Sequence, residues 1–376
     1  MDFSQLTIVI ITKNRSKFLI RNINWWAPTG VKIIIMDGSD TPISSEVINK
    51  FLPNIKYLNS PKSIEERLVI ASSFVTTKYV IQSGDDDLFL HSGVDACIKE
   101  LESKPNLVAC MGLSLGFIYL DNALYGKLVY ENVSEYGQII NSKASLRVRS
   151  HLKNYECTCF YGVIRTNIWK TNVSIIESKE SLPGNLSEIF FELSTVYQGK
   201  TKVINCLMWL RSFENTSQWS QQYPNTDWFL KRNNPIRKEI FFRLKYYLFS
   251  DLKRFKLLKV DLFIKFVILR FYLKPIARKY GISGVFYILF LPLAYINANF
   301  NNSFVFYIKS CSNYILKKLE KYGLLHGNSF VSNASESKNI QSKKLLKDYI
   351  SERFSPYNQN EIEALIFQIS NFYRAD

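Results

Sequence analysis

Along the first 110 positions, short β-branched apolar runs alternate with segments of helical spacing. Residues 6–11 form one such run, read as a buried strand, because an unbroken apolar stretch of this length suits a sheet covered on both faces. A polar turn, Thr12-Lys13-Asn14-Arg15, ends it, and Phe18, Leu19, Asn22, Ile23 and Trp26 then recur with helical spacing. Residues 31–36 predict a second strand, closed by Asp37-Gly38-Ser39-Asp40. Residues 42–51 predict a helix and residues 55–58 a short strand. Ser63 followed by Glu66 has capping-box spacing and predicts a helix running to about Phe74. Residues 78–82 read as a strand ended by Gly84-Asp85-Asp86-Asp87, residues 92–103 as a helix and residues 107–111 as a strand. This alternation predicts an α/β fold with a mostly parallel sheet and helices on both faces.

From 115 to 218 the pattern is mixed. Strands are predicted near 115–120, 157–164 and 201–210, with Cys157 and Cys159 on a buried strand, and helices near 141–152 and 186–198. Past 219 strand cues fade and the pattern is helical. A Ser/Asn-rich stretch, 328–342, predicts a mobile link. After Tyr357, Ile362, Leu365, Ile366, Ile369 and Phe372 are spaced for one face of an amphipathic helix. The chain therefore divides into an α/β domain over 1–218, a helical region over 219–327, and a linker with a terminal helix over 328–376.

Charge changes the picture of the middle region. The 376 residues carry a net +16, and residues 231–280 alone hold 15 Lys/Arg against three acids. Aromatics lace that segment, and residues 280–308 then carry no charge. Such a pair of segments suits an anionic membrane surface, nucleic acid, or a helical subdomain with a solvated basic face. The membrane surface is the expectation and nucleic acid the least favoured of the three. The apolar stretch is short for a span, contains Pro292 and runs into Asn297, Asn299, Asn301 and Asn302. Apolar residues at 47% and charged residues at 21% exclude global disorder. Six Cys without a CxxC pair, and three His, exclude a zinc-ribbon pattern and predict free thiols in a reducing compartment. The N-terminus shows neither a basic n-region nor a cleavage site, which predicts a cytoplasmic protein without a secretory leader.

Candidate chemistry lies where strands end, since open α/β sheets bind ligands at their carboxyl edge. Three polar loops would converge there: 12–15, 37–39 and 84–87. No GxGxxG follows the first strand and no GxxxxGK[ST] occurs, which argues against dinucleotide and P-loop sites. Gly112-Leu113-Ser114-Leu115-Gly116 matches GxSxG, but a strand rather than a helix is predicted after it, so the match is read as chance. Asp85, Asp86 and Asp87 are the sharpest feature. Adjacent carboxylates repel unless donors or a cation offset them, and hard oxygen ligands suit Mg²⁺ or Mn²⁺ bound together with phosphates. The alternative is a solvated acidic turn.

Taken in order, Ile8-Val-Ile-Ile-Thr-Lys-Asn-Arg15, Ile34-Ile-Met-Asp-Gly-Ser39, Arg67 and Tyr79-Val-Ile-Gln-Ser-Gly-Asp-Asp-Asp87 resemble the N-terminal half of family-2-like GT-A glycosyltransferases. The nearest likeness is to a bacterial subgroup associated with surface polysaccharides. The resemblance spans about residues 5–215 and implies a GT-A fold for 1–218. It also implies a nucleotide-sugar donor, UDP-linked, an inverting displacement, and a glycan or lipid-linked acceptor. Thr12, Asn14 and Arg15 would begin the nucleotide pocket, and Asp37 would meet uracil or ribose. Arg67 would meet base or phosphate. The Asp cluster matches the DXD motif, with Asp86 the direct ligand of Mn²⁺ or Mg²⁺, Asp85 beside the ribose, and Asp87 assisting or replacing either. The family's base begins a helix about three turns before a Gly. Here Glu188 precedes Gly199 at that spacing, with Glu192 one turn later as the reserve. The chain departs from the family at Ile11, Gly84 and Ser187, where many relatives have Pro, Asp and an acid. Arg211, after the 203–210 strand, would reach the diphosphate or an anionic acceptor. Trp209, Trp219 and Trp228 are read as core rather than sugar-stacking residues, and His91 as structural. The expected place is the inner face of the cell membrane, held peripherally by the basic region. The competing reading is a non-catalytic, membrane-associated scaffold that binds a nucleotide sugar.

Overall fold

The computed structural model describes residues 1–129, 134, 137–153, 156–176, 184–215, 242, 246, 344–354 and 357–374. Most of the basic-aromatic segment, the uncharged stretch 280–308, the Ser/Asn-rich stretch 328–342, Trp219 and Trp228 lie outside the described residues. The sheet described below belongs to a unit spanning residues 1–220 and 343–376, and residues 221–342 form a second unit. Among the described residues, no helix is long and apolar enough to cross a membrane.

The expected alternation is present. Strands β1 (Leu6–Thr12), β2 (Lys32–Asp37), β3 (Ile55–Asn59) and β4 (Tyr79–Gly84) lie side by side, all parallel, in the order β3-β2-β1-β4. Helices α1 (Ser16–Trp26), α2 (Ser45–Asn49) and α3 (Ile64–Ser72) connect them. Both faces of β1 are covered, with Ile8, Val9 and Ile10 fully buried, which is why the strand reads as a continuous apolar run. Ser63 and Glu66 form the reciprocal capping box at the start of α3. The helix expected over 42–51 is only the five residues of α2.

The second half differs more. After β5 (Leu88–Phe89) and α4 (His91–Ser103), the strands expected at 107–111 and 115–120 are one, β6 (Leu107–Leu120). Register shifts against β9 (Lys200–Ser212), between Leu107 and Ala109 and again from Met111 to Ser114, let so long a strand bend, so one strand serves two predicted pieces. The GxSxG match therefore sits mid-strand, and no nucleophile elbow forms. Strand β7 (Ala123–Leu128) hairpins back on β6. Helices α5 (Ala144–Lys153) and α7 (Gly184–Gln198) match the expected ones, while α6 (Thr166–Ile176) was not expected. Cys157 and Cys159 are buried as expected but lie on a loop. Only β8 (Val163–Arg165) is strand there, pairing antiparallel with β4 and β6. The loop's backbone donors go to a carboxylate instead of a ladder, as described below.

The chain returns at β10 (Lys344–Leu345), which pairs with β7, followed by α8 (Leu346–Arg353) and α9 (Gln359–Arg374). The terminal amphipathic helix is no separate appendage. Ile362, Leu365 and Ile369 are fully buried in the same core as β1 and β6.

His91, the first residue of α4, is structural as expected. Its ring stacks on Trp25 at 4.5 Å and lies 4.8 Å from that of Trp26. Burial holds the imidazole down at about 4, below its ordinary 6.5, although Glu361 Oε1 lies 3.9 Å from its Nδ1. A depressed folded value means that the stabilisation is complete above pH 6.5 and is lost as pH falls toward 4. The window is worth about 3 kcal/mol at most. Urea denaturation across pH 4–7 should show His91→Phe flattening this part of the stability curve. Parallel curves for variant and wild type would refute it.

Candidate active site

Parallel registration brings the strand ends together. Thr12 pairs with Asp37 across β1 and β2, and Ile11 pairs with Gly84 across β1 and β4. The Thr12 hydroxyl donates to Asp85 Oδ2 at 2.7 Å. The Arg15 guanidinium, at the start of α1, donates from one nitrogen to Asp85 Oδ1 at 3.0 Å and to Asp86 Oδ2 at 2.9 Å. Asn14 between them has φ 56, a left-handed conformation that Asn tolerates, and its N–H donates to the Ser39 hydroxyl at 2.7 Å. Loops 12–15 and 84–87 are thus tied into one polar edge.

Asp37 is buried and already partnered. Its Oδ1 accepts from the Ser39 N–H at 2.8 Å and the Ser39 hydroxyl at 2.5 Å, and its Oδ2 from the Tyr57 hydroxyl at 2.6 Å. Arg67, expected at the base or phosphate, is buried beneath the loops. It donates to the carbonyls of Thr12 at 2.5 Å and Met36 at 2.9 Å. A Cβ at Gly38 would come within 2.7 Å of its Cζ, so Gly38 leaves the room that Arg67 needs. In this arrangement Arg67 ties the ends of β1 and β2 together.

The acidic turn is electrostatically short of positive charge. Asp85 and Asp87 are buried, and Asp86 keeps 17% of its side-chain surface. Burial, with Asp86 adding repulsion, pushes the Asp87 carboxyl up to about 7 and that of Asp85 up to about 6, although Arg15 opposes the shift at Asp85 and the Ser212 N–H opposes it at Asp87. The donor set is all carboxylate oxygen, and a cation arriving at the turn would relieve the repulsion, so the residues fit a hard divalent ion. Among the described residues, no three His, Cys, Asp or Glu side chains converge to hold a metal by themselves. Such an ion would need oxygens from outside the protein to complete its shell.

Sequence reasoning missed the residues that hold this turn. Arg21 donates to the Asp86 carbonyl at 2.9 Å, and Asn22 donates to those of Asp87 at 2.8 Å and Gly84 at 3.1 Å. The Ser212 N–H donates to Asp87 Oδ1 at 3.0 Å, and Asn215 Nδ2 to Asp86 Oδ2 at 3.0 Å. The one signal in the sequence was the placing of Arg21 and Asn22 on a helix face otherwise spaced for burial.

In the second half, Glu188 is half-buried near the start of α7, beside the Cys157 thiol. Desolvation pushes the Tyr161 hydroxyl well up, and the charges of both Glu188 and Asp87 add to the shift. Tyr161, stacked on buried Trp209 at 4.1 Å, therefore lies within the fields of Glu188 and the acidic turn together. Arg211 opposes the same shift and sits over the rings of Trp209 and Phe213. Glu192 is fully buried. It accepts from the N–H groups of Cys159 at 2.6 Å and Phe160 at 2.5 Å, and His151 Nε2 lies 3.0 Å from its other oxygen. Glu192 organises the 157–160 loop and has no surface to offer an acceptor.

A parallel sheet whose carboxyl edge gathers a hydroxyl, an arginine and an acidic turn is where an open α/β fold binds its ligand. Residues 7–170 match the model of glycosyl transferase family 2. The chain carries a family 2 glycosyl transferase domain. No curated protein matches the chain. Among solved structures, residues 1–349 of S. aureus TarS in complex with UDP-GlcNAc align with a TM-score of 0.54 at 13% identity, over 78% of this chain and 79% of that one. The same TarS fragment with UDP aligns at 0.50 and 12% identity, over 78% and 80%. Identities this low establish a shared fold, and the family 2 domain here has the GT-A architecture.

Proposed function

We propose that this glycosyltransferase moves a sugar from a UDP-linked donor to a hydroxyl of a glycan or lipid-linked acceptor, with inversion, in surface polysaccharide synthesis. The observation that carries the reading is the convergence of Thr12, Arg15, Asp37 and the Asp85–Asp87 turn on one sheet edge. The UDP and UDP-GlcNAc held by the TarS structures of this fold favour uracil as the base. Asp86, with Asp87 behind it, would hold Mn²⁺ or Mg²⁺, which when bound supplies positive charge against the leaving diphosphate.

The chain's own residues do the rest. Asp37, anchored by Ser39 and Tyr57, would meet base or ribose from beneath the same edge. Asn14, Thr12 and Arg15 line the entry to the same edge, and Asp85 lies beside the ribose. Arg211 adds positive charge on the diphosphate side. Glu188 takes the acceptor's proton as the acceptor oxygen bonds to the anomeric carbon and the carbon–phosphate oxygen bond breaks. The basic region 219–327 would dock the enzyme at the inner membrane face, which binding to anionic against neutral liposomes would report.

Calorimetry with UDP, GDP and CDP, with and without Mn²⁺, tests the donor site. UDP is expected to bind in a metal-dependent way, and Asp86→Ala to weaken that binding at least roughly tenfold. No nucleotide binding under any metal would overturn the reading.

A further inference from the structure

We infer that Tyr373 and Glu361, on the terminal helix α9, are positioning residues for the acidic turn of the donor site; this rests on the donor-site reading above. Besides Thr12, Arg15, Asn22, Ser212 and Asn215, the turn is held by Arg21, whose Nη2 donates to the Asp86 carbonyl and, at 2.9 Å, to Glu214 Oε2. Glu214 also accepts from the Ser212 hydroxyl at 2.8 Å and from the Tyr373 hydroxyl. The Tyr373 ring is fixed by stacking on Tyr119 at 4.3 Å, 8° from parallel. Phe372 of the same helix lies 4.8 Å below the Arg21 guanidinium, and Gln368 donates to the Arg21 carbonyl at 2.9 Å. An unbroken path thus runs from Tyr373 through Glu214 and Arg21 to Asp86.

The other flank of the turn is held by the same helix. Helix α4 starts four residues after Asp87, and its N-cap, Leu90, has no side chain able to cap. Glu361 does so from α9, accepting from the N–H groups of His91 and Ser92 and from the Ser92 hydroxyl. The apolar face of Ile362, Leu365 and Ile369 packs α9 into the core. Glu361, Gln368 and Tyr373 of α9 reach instead to the two flanks of the turn and to Arg21. That is the pattern of a shell holding a binding group in register.

The test uses the full chain and three substitutions. Tyr373→Phe removes one hydroxyl and Glu361→Ala one carboxylate, while Ile369→Val trims the helix's apolar face. Mn²⁺-dependent UDP affinity is expected to fall roughly tenfold in the first two with turnover at saturating donor much less affected, and to stay unchanged in Ile369→Val, whose loss shows only in thermal stability. Glu361→Gln, which keeps an accepting oxygen, is expected to recover most of the affinity. Hydrogen exchange gives a readout that needs no nucleotide. The amides of His91, Ser92 and Ser212 should exchange faster in Tyr373→Phe or Glu361→Ala, while those of β1 and β2 stay protected. Unchanged exchange at these three amides in both variants would overturn the inference. If wild-type protein binds no nucleotide, the donor reading fails by itself, and the exchange pattern still decides whether α9 braces the turn.

Discussion

Glu188→Gln is expected to cut turnover by roughly 10²–10⁴-fold while UDP affinity stays within about twofold. The substitution keeps size and hydrogen-bonding shape but removes the group that takes the acceptor's proton. Its effect should therefore fall on the chemical step and leave the donor edge, built from β1, β2 and β4, intact. Product formation and calorimetric UDP binding on the same preparations separate the two. The scaffold alternative makes the opposite forecast, since it has no turnover to lose. Glu192 supplies the internal contrast. It is fully buried against the N–H groups of Cys159 and Phe160, so Glu192→Gln should disturb that loop and lower stability without abolishing turnover in the folded fraction. Turnover lost in Glu192→Gln and retained in Glu188→Gln would move the base to Glu192.

The second large effect concerns Arg21. Its side chain is 1% exposed and that of Glu214 4%, with the closest approach at 2.9 Å. Removing one member of a buried ion pair leaves the other charge without its partner, at a cost of about 3–5 kcal/mol. Arg21→Met should therefore lower unfolding free energy by about that much, read from the urea midpoint at pH 7. The double variant Arg21→Met with Glu214→Leu should recover part of it, because an apolar pair leaves no stranded charge. A single variant within about 0.5 kcal/mol of wild type would show that the pair contributes nothing net.

Much of the domain's first half was legible because its physics is local. A covered parallel strand must be apolar on both faces, so β1, β2 and β4 stand out as unbroken runs, and their polar ends mark the edge where ligands bind. The capping box at Ser63 and Glu66 was equally plain, since both partners lie within one turn. The second half was harder. Strand β6 reads as two because its bulges interrupt the alternation, and residues 157–160 look like part of a strand because they are buried, although the N–H groups of Cys159 and Phe160 bond Glu192 rather than a ladder.

The roles of single charged residues were legible only as types. Composition and order placed Arg67 on the helix before the acidic turn. The choice between a ligand contact and a tie to the carbonyls of Thr12 and Met36 depends on how deep α3 packs under Gly38. The spacing that offered Glu188 and Glu192 as alternatives could not say which one the loop buries.

From its sequence alone, this protein has an α/β domain with three polar loops on one edge, a carboxylate cluster among them, and an amphipathic helix near its end. Each follows from periodicity, or from charges that are neighbours in the chain. Only the tertiary structure decided that the terminal helix caps α4 through Glu361 and reaches the acidic turn through Tyr373, Glu214 and Arg21. Those partners are separated by 65 to 270 positions. A hydrogen bond over such a span leaves no periodic trace, because it is made by the packing of two apolar faces that must first find each other.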